Sequence, residues 1–274
     1  MSALLSWGRV HLRDLPWRRT RDPWAVLVSE VMAQQTQIAR VTPKWEAFLA
    51  AYPTADACAR ASLGDVLRLW HGLGYPRRAA NLHRAAQAIA AAGAFPHTLA
   101  GLLALPGVGS YTARAVLAFA FERDVAVVDT NVARVLARRA GRRLTGREVQ
   151  DLADSLVPVG QGWAWNQSLM ELGALVCRPA PSCARCPLLA ECSWHGEGTD
   201  PAIGSAGVSG RQARFEGSDR QARGRLMAAL QAGPVDLADV ATITARPPAA
   251  AEALLATLVT DGLCHLTETT AHLP

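Results

Sequence analysis

One acidic side chain, Glu30, interrupts an apolar stretch near the start of the chain, LVSEVMAQQTQI. The apolar residues recur at helical spacing, which predicts a single helix through Ile38 with Glu30 and Gln34 on a common face. A carboxyl group among apolar neighbours keeps its proton more readily than one in water, so it can act as a general acid. A buried acid with a purely structural role would produce the same pattern, and the stretch alone leaves both interpretations open.

A second acidic residue, Asp129, follows the apolar run AVV and precedes the helical pattern TNVARVLAR. This position predicts that Asp129 and Thr130 cap a new helix and that Asn131 lies in its first turn. An ionised carboxylate held by helix N–H groups can also stabilise a developing positive charge. Taken by itself, the position fits a structural N-cap as well as a catalytic carboxylate.

A Gly-rich turn, LPGVG, lies between two helical runs. Gly107 and Gly109 permit positive φ angles and a close approach of the backbone to another surface. The helix that follows begins with N–H groups that lack helical partners, and such groups can bind a phosphate oxygen. Because two packed helices can also be joined in this way, the segment predicts either a phosphate site or a simple tight turn.

Four of the six cysteines lie close together, with gaps of five, two and five residues. The short loops can bring four thiolates to one soft metal centre. A disulfide pair is disfavoured in a chain without a secretory signal. A four-cysteine zinc site is an alternative, although such sites commonly separate two tight pairs by a longer spacer. A [4Fe-4S] cluster is the favoured interpretation; the predicted ligands are Cys177, Cys183, Cys186 and Cys192.

The composition is that of a globular protein: the chain has 274 residues, 50% of them hydrophobic, and a net charge of +5. The basic excess is uneven, since residues 1–196 hold 22 Lys+Arg against 14 Asp+Glu, whereas residues 197–274 hold 6 against 9. A polyanion is therefore expected to bind the first two thirds of the chain. No stretch reaches the roughly 20 apolar residues of a membrane-spanning helix, and a cytoplasmic, nucleoid-associated location is expected.

The elements that must position these residues are helical. Short amphipathic patterns alternate with Gly- and Pro-containing breaks, and no segment alternates like a strand between turn signals. We predict an all-α chain with one domain at 16–121, which contains the Gly-rich turn, and another formed by 1–15 and 122–196, which contains the cysteines. A Gly- and Ser-rich linker at 197–217 then leads to a small, winged-helix-like domain at 218–274.

Several motifs occur together in one order: DLPWR, SEVMAQQTQ, LWHGLGYPRRAANLH, LPGVG, VVDTNV, NQSLMELGALVC and the cysteine cluster. From about Leu15 to Cys192 the chain thereby resembles the helix-hairpin-helix DNA glycosylases with an iron-sulfur cluster, which include endonuclease III, and within them the MutY-type adenine DNA glycosylases. The resemblance implies a six-helix barrel with the hairpin, a cluster domain and a DNA-binding cleft between them. It also implies a monomer whose partner is double-stranded DNA with a mispaired adenine.

The resemblance further implies a monofunctional adenine DNA glycosylase of base excision repair. Glu30 corresponds to the acid that protonates adenine, and Asp129 to the carboxylate that stabilises the sugar cation. Tyr111 and Asn131 correspond to residues that hydrogen-bond this pair. Family members that also cut the DNA strand have a lysine at the position of Tyr111, and the single lysine of this chain is Lys44. A lysine-based lyase is therefore not expected.

The same resemblance assigns residues that hold DNA. Gln34 and Tyr75 are expected to fill the gap in the base stack, and Gly107 and Gly109 to approach the DNA backbone. Arg77 and Arg78 also suit the DNA backbone, because they directly follow Tyr75. The adenine pocket is expected to be lined by four residues, Trp17, Arg18, Gln167 and Glu171.

The chain departs from the family pattern in two places. The first cysteine gap has five residues where the family usually has six. Residues 218–274 are too few for the C-terminal domain with which MutY-type enzymes read the oxidised guanine opposite adenine, so adenine removal is better supported than strict selection for that base. Two alternatives stay open: a thymine or oxidised-pyrimidine glycosylase on the same scaffold, and a catalytically silent DNA-binding protein that senses redox state.

Overall fold

The structure is a computed structural model that describes residues 2–208 and 214–274. Residues 209–213 belong to the predicted linker and lie outside the described residues, so the linker stays a prediction there. The all-α prediction is confirmed. The helices are α1 Ser2–His11, α2 Pro23–Ala33, α3 Ile38–Ala51, α4 Ala55–Ala59, α5 Leu63–Leu69, α6 Arg77–Ala92, α7 Leu99–Leu103, α8 Ser110–Phe119, α9 Thr130–Ala140, α10 Gly146–Leu156, α11 Gly162–Leu175, α12 Asp219–Ala232, α13 Val240–Thr244 and α14 Pro248–Thr260.

The chain forms two compact units, each built from several segments. The first unit comprises Met1–Val26, His97–Leu103 and Val108–Arg211. The second unit comprises Leu27–Pro96, Ala104–Gly107 and Gln212–Pro274. The domain boundaries predicted at 16, 122, 197 and 218 stay predictions. Within the part of the chain that the structure describes, no helix is both long and apolar enough to cross a membrane.

The first unit has a core formed by α1, α9, α10 and α11. Helices α1 and α11 pack closely at Gly8, where an added Cβ would lie 1.9 Å from Ser168 Oγ. Trp165 and Leu172 of α11 are buried in this core. Part of the predicted linker also packs here, since Ala202 is buried against the same cluster. This core holds α9 and α11, which carry Asn131, Gln167 and Glu171.

The second unit has its own core of large apolar side chains from α3, α5 and α6 and from the turn after α5. Phe48 of α3 and Trp70, directly after α5, meet edge to face with ring centres 6.4 Å apart. Leu67 and Leu82 are fully buried beside them. The last residues of α2 also belong to this unit. The core thus supports the loop between α5 and α6, which carries Tyr75.

Residues 214–274 form a C-terminal module within the second unit. Helix α12 is followed by strand β1 Val235–Asp236, helices α13 and α14, and strands β2 His265–Leu266 and β3 Thr270–His272. Strand β3 lies between β1 and β2 and pairs antiparallel with both. This order of helices and strands is that of a winged helix, as the sequence pattern predicts.

The helix that carries Glu30 is shorter than predicted. Helix α2 ends at Ala33, and the backbone at Gln35 has a φ of 52°. A new helix, α3, begins at Ile38. The prediction of one helix through Ile38 is therefore wrong, because periodic apolar residues do not reveal a short turn between two helices. Gln34 lies in this turn, just beyond the end of α2.

Candidate active site

Asp129 caps helix α9, as predicted. Its Oδ1 accepts a hydrogen bond of 2.7 Å from the backbone N–H of Val132, and its Oδ2 accepts one of 2.9 Å from Asn131 Nδ2. Asn131 lies in the first turn of α9, again as predicted. The carboxylate is thus held at a helix N-terminus by a backbone donor and a side-chain amide, which is a favourable place for negative charge.

The segment before Asp129 is fixed by side chains from two other helices. Asn166 of α11 accepts from Val127 N at 2.8 Å and donates to Val125 O at 2.8 Å. Asp154 of α10 accepts from Ala126 N at 3.0 Å. These hydrogen bonds satisfy backbone N–H and C=O groups of a segment that belongs to no helix or strand. They therefore fix the approach of the chain to Asp129.

Arg134 connects the Asp129 cap to the cysteine segment. Its NH2 donates to Asn131 Oδ1 and to Gly173 O, both at 2.8 Å, and its Nε donates to Cys177 O at 2.8 Å. Gly173 allows α11 to approach this point, because an added Cβ would lie 2.7 Å from Asn131 Cβ. The residue that orients Asp129 is therefore held by the same arginine that holds the start of the cysteine loop.

Burial raises the pKa of Asp129, and the hydrogen bonds from Val132 and Asn131, with the charge of Arg134, only partly oppose this shift. The side chain is nevertheless partly exposed. The ionised fraction of Asp129 therefore increases as the pH rises through this elevated pKa.

Three of the four residues predicted for the base pocket lie together. Arg18 donates from Nε to Gln167 Oε1 at 2.7 Å and from NH2 to Glu171 Oε2 at 2.9 Å. Arg13 donates to both carboxylate oxygens of Glu171. Trp17 lies in the 3₁₀ turn Pro16–Arg18, next to Arg18 in sequence. The first unit therefore brings Arg18, Gln167 and Glu171 into one hydrogen-bonded group.

Glu171 is fully buried and ionised. Burial raises its pKa, but the hydrogen bonds and charges of Arg13 and Arg18 outweigh this effect, and the net pKa is lowered. Because both oxygens accept from arginines, Glu171 orients Arg18 and Gln167. Its predicted role as a direct contact of the base stays a prediction.

Glu30 lies in the second unit and is 9% exposed. Along α2 in this unit, the apolar residues Leu27, Val31 and Met32 are buried, and the polar Ser29 is buried as well. That the carboxyl group of Glu30 lies among apolar side chains stays a prediction.

The turn that carries Gln34 and the loop that carries Tyr75 are joined by Arg78. Its NH1 donates to the carbonyl oxygens of Val31 at 2.8 Å and Gln34 at 2.7 Å. Its NH2 donates to Leu73 O at 2.8 Å and Gly74 O at 3.0 Å. Burial lowers the pKa of Arg78 to about 10, and it stays charged at neutral pH. The expectation that Arg78 serves the DNA backbone is wrong, because its donors bind the protein's own carbonyl groups.

The Gly-rich turn uses its two glycines differently. Gly107 has a φ of 76°, and an added Cβ would lie 2.5 Å from Asn81 Cβ. Gly109 has a φ of −92° and serves as the N-cap of α8. The expectation of a positive φ is therefore correct for Gly107 and wrong for Gly109. A Cβ at Gly109 would meet no atom within 4 Å, so this N-terminus is open to an approaching group. Tyr111 lies in the first turn of α8.

The four clustered cysteines are free thiols at the end of the first unit. Burial raises the pKa of Cys186, and the nearby sulfurs of Cys177, Cys192 and Cys183 raise it further, which places all four within electrostatic reach. Among residues 2–208 and 214–274, no group of three or more Cys, His, Asp or Glu side chains is arranged to hold a single metal ion. This finding concerns a mononuclear site, because a cubane cluster binds each cysteine at a separate iron.

The short first loop of the cysteine segment is held by Arg138 of α9. Its NH1 donates to Cys177 Sγ at 3.3 Å and to Arg178 O at 2.7 Å, and its NH2 donates to Pro179 O at 3.0 Å. Asp200 pairs with the same guanidinium at 2.7 Å. Arg138, whose charge is paired with Asp200, thus fixes this loop together with the Arg134 bond to Cys177 O.

The chain is similar to known DNA repair proteins. Residues 28–158 match the model of the HhH-GPD superfamily base excision DNA repair proteins. The chain is 42% identical to an adenine DNA glycosylase of Mycolicibacterium smegmatis, over 96% of this chain and 92% of the relative. It is 46% identical to an adenine DNA glycosylase of Mycobacterium tuberculosis, over 92% and 87%. The chain belongs to the HhH-GPD superfamily of base excision DNA repair proteins.

Two solved structures share the fold. A thermostable thymine-DNA glycosylase is 30% identical, with a TM-score of 0.66 over 71% of this chain and 94% of that chain. An endonuclease III trapped on DNA is 24% identical, with a TM-score of 0.62 over 70% and 92%. The predicted endonuclease III type of fold is therefore confirmed.

Three residues that support the site of this HhH-GPD protein escape sequence reasoning. Arg13 contacts Glu171 across 158 positions of the chain, and Arg78 contacts Val31 across 47. Asn166 begins the motif NQSLMELGALVC, but its partners at 125 and 127 carry no sequence signal. For Arg78 and Asn166, the available sequence signal was a charged or amide residue inside a helical pattern.

Substitution Arg78→Met is expected to destabilise the HhH-GPD protein by about 2–4 kcal/mol, because several charge-assisted hydrogen bonds are lost while the apolar stem is kept. Urea unfolding measures the change. Arg77→Met is the matched control: Arg77 is 73% exposed, and its ion pair with Asp261 spans 3.4 Å, so a change below about 1 kcal/mol is expected. Equal destabilisation by both variants would contradict the role given to Arg78.

Proposed function

We propose that this protein is a monofunctional DNA glycosylase that excises adenine mispaired with 8-oxoguanine or guanine in base excision repair. The observation that carries the proposal is the buried carboxyl group of Glu30, which is 9% exposed, in a chain whose relatives are adenine DNA glycosylases at 42% and 46% identity. A second carboxylate, Asp129, at the N-terminus of α9 supplies the other group that the chemistry needs.

Departure of adenine requires a proton, because the base leaves poorly as an anion. Glu30 in its protonated form donates that proton to a ring nitrogen of adenine. The bond between adenine and deoxyribose then breaks, and its electron pair leaves with the base. In its ionised form, Glu30 can afterwards take a proton from the attacking water.

The sugar that remains carries a positive charge. Asp129 in its ionised form stabilises this oxocarbenium ion or captures it covalently, as a carboxylate does in glycoside hydrolysis. Asn131 and the N–H of Val132 hold the carboxylate in place. Water then attacks the sugar carbon that was bonded to adenine, and the products are free adenine and an abasic site.

Cys177, Cys183, Cys186 and Cys192 would hold a [4Fe-4S] cluster. Four thiols within electrostatic reach, a loop fixed by Arg138 and a close approach of the backbone at Gly196 support this assignment. Such a cluster ties the four cysteines together and is redox-active. Base excision by Glu30 and Asp129 needs no step at this centre.

Substitution Gly196→Ala is expected to lower the iron and sulfide content of the purified protein. Gly196 has a φ of 92°, and an added Cβ would lie 2.9 Å from Cys183 Sγ. Gly198→Ala is the matched control, because Gly198 has a φ of 68° and no atom within 4 Å of an added Cβ. Both alanines strain the backbone by about 1–2 kcal/mol. Iron analysis should show a loss specific to position 196, and equal content in both variants would contradict the contact.

Single-turnover base release tests the proposed activity. The protein is incubated with duplexes that contain A opposite 8-oxoguanine, A opposite G, and T opposite G. Release of adenine from the first two duplexes supports the proposal, and no adenine release from any duplex refutes it. Thymine release from the third would favour the second candidate, a thymine glycosylase, which the 30% identity to a thymine-DNA glycosylase supports.

Borohydride trapping tests the monofunctional assignment. Tyr111 stands where a lyase of this superfamily has lysine, and the one lysine, Lys44, lies in α3 with Nζ 3.3 Å from Leu69 O. No covalent complex above background is expected after incubation with DNA and borohydride. A strong trapped band would overturn the assignment.

A further inference from the structure

The C-terminal module is fixed beside the loop that carries Tyr75. Gln231 of α12 donates from Nε2 to Leu67 O at 2.6 Å, and its Oε1 contacts His71 Nδ1. Gly64 N donates to Pro274 O at 2.9 Å. Because the module contacts α5 and the turn that follows it, it holds a defined place next to Tyr75 within the second unit.

At this place the module and the loop share one surface. Arg220 NH1 donates to Tyr75 Oη at 3.2 Å, and the guanidinium of Arg220 lies 5.1 Å from the ring centre of Phe215. Phe215 is 52% exposed and Tyr75 is 39% exposed. We call Tyr75, Phe215 and Arg220 the aromatic-arginine surface. Arg78 also lies close to this surface, 5.5 Å from the ring centre of Tyr75.

The chemistry of the aromatic-arginine surface suits nucleic acid. Exposed aromatic rings stack on unpaired bases, and an arginine beside them binds phosphate or the edge of a base. Helix α14, which has the recognition position in winged-helix proteins, contains no Arg, Lys or His. The module therefore offers DNA the start of α12 instead of α14.

The backbone at Tyr75 supports a binding role. Its φ is 48°, a left-handed conformation that a tyrosine rarely adopts. Such a conformation persists only where the surroundings fix it, and it is concentrated at ligand contacts. Here Arg78 of α6 fixes the loop through Leu73 O, and Arg220 of the C-terminal module contacts the hydroxyl group of Tyr75.

We propose that the aromatic-arginine surface binds the base that loses its partner when adenine is extruded from the duplex. Phe215 stacks on that base, and Arg220 orients Tyr75 and contacts the base edge or the adjacent phosphate. The inference rests on the proposed function, since it requires a flipped adenine. In this proposal the C-terminal module binds the DNA strand opposite the excised adenine.

DNA affinity tests the proposal on the full chain. Fluorescence anisotropy is measured with a duplex that holds 8-oxoguanine opposite 2′-fluoro-2′-deoxyadenosine, which resists excision, and with the same duplex fully paired. Phe215→Ala and Arg220→Ala should each weaken binding to the mismatched duplex by about 10-fold, and binding to the paired duplex by much less. Arg225→Ala removes the same charge from an exposed position of α12 and should change neither affinity.

Two outcomes would overturn the proposal. Wild-type affinity in both Phe215→Ala and Arg220→Ala would show that the aromatic-arginine surface does not bind DNA. If Phe215→Ala and Arg220→Ala lose affinity equally for the mismatched and the paired duplex, the aromatic-arginine surface is only a general contact of the DNA backbone. The same conclusion follows if Arg225→Ala loses as much affinity as they do. Adenine release by the wild-type protein is measured in parallel. If adenine is released but the variants bind normally, this inference alone fails; if no adenine is released, the proposed function fails.

Discussion

Substitution Glu30→Gln should abolish adenine release while DNA binding and the iron content of the purified protein stay unchanged. Glutamine has nearly the same shape as glutamate, so the packing of α2 around this buried position is kept. It has no acidic proton to give, and loss of a general acid lowers a rate by about 100- to 10,000-fold. Single-turnover release from a duplex with A opposite 8-oxoguanine measures the effect.

Glu46→Gln is the matched control for this experiment. Glu46 is an exposed acid on α3 of the same unit, and Glu46→Gln makes the same chemical replacement away from the buried position. Wild-type rates are expected for this variant. Retained activity in Glu30→Gln would mean that Glu30 is a buried acid with a structural role.

Substitution Asp129→Asn should lower activity by at least about 100-fold and leave stability nearly unchanged. Asparagine is as good an N-cap as aspartate, so a purely structural Asp129 would tolerate the change. Two effects on stability oppose each other. Removal of a buried charge whose pKa is raised stabilises the fold at neutral pH, whereas the amide faces the Nδ2 donor of Asn131 and loses one hydrogen bond. Thermal unfolding and single-turnover rates measure the two outcomes.

The pH dependence of the wild-type protein gives an independent test of Asp129. Because burial raises its pKa, activity should fall as the pH drops through a value above that of an ordinary aspartate. The ionised form is the competent one, so the rate rises with pH over this range. Asp124→Asn is the control: Asp124 also accepts backbone N–H groups, at Gly160 and Gly162, but is exposed. Its pH profile should match the wild type, and an identical profile in Asp129→Asn would contradict the assignment.

Local chemistry made some features of this protein predictable. The cap at Asp129 follows from an acid between an apolar run and a helical pattern, and the structure confirms it. The positive φ at Gly107 follows from the same kind of reasoning. Such features depend on a few neighbouring residues, whose preferences the sequence displays directly.

Features that depend on distant partners were predictable only in part. Arg78 follows Tyr75 in a basic pair, and the sequence does not show that its donors reach the carbonyl groups at 31 and 34. Likewise, nothing near Arg13 reveals Glu171. The turn at Gln35 was missed because the apolar spacing on its two sides happens to continue one helical period.

Helix α9 carries Asp129 at its start and, further along, Arg134 and Arg138, which bind the cysteine loop. From Asp129 to Arg138 the helix rises about 13 Å, and a helix of this length moves as a stiff rod. The cap and the loop should therefore open and close together in amide hydrogen exchange, as one cooperative unit. The cysteine loop and the Asp129 cap then fold in a single step. A protein molecule whose cysteine loop is not yet folded therefore also lacks a correctly positioned Asp129 carboxylate for its action on DNA.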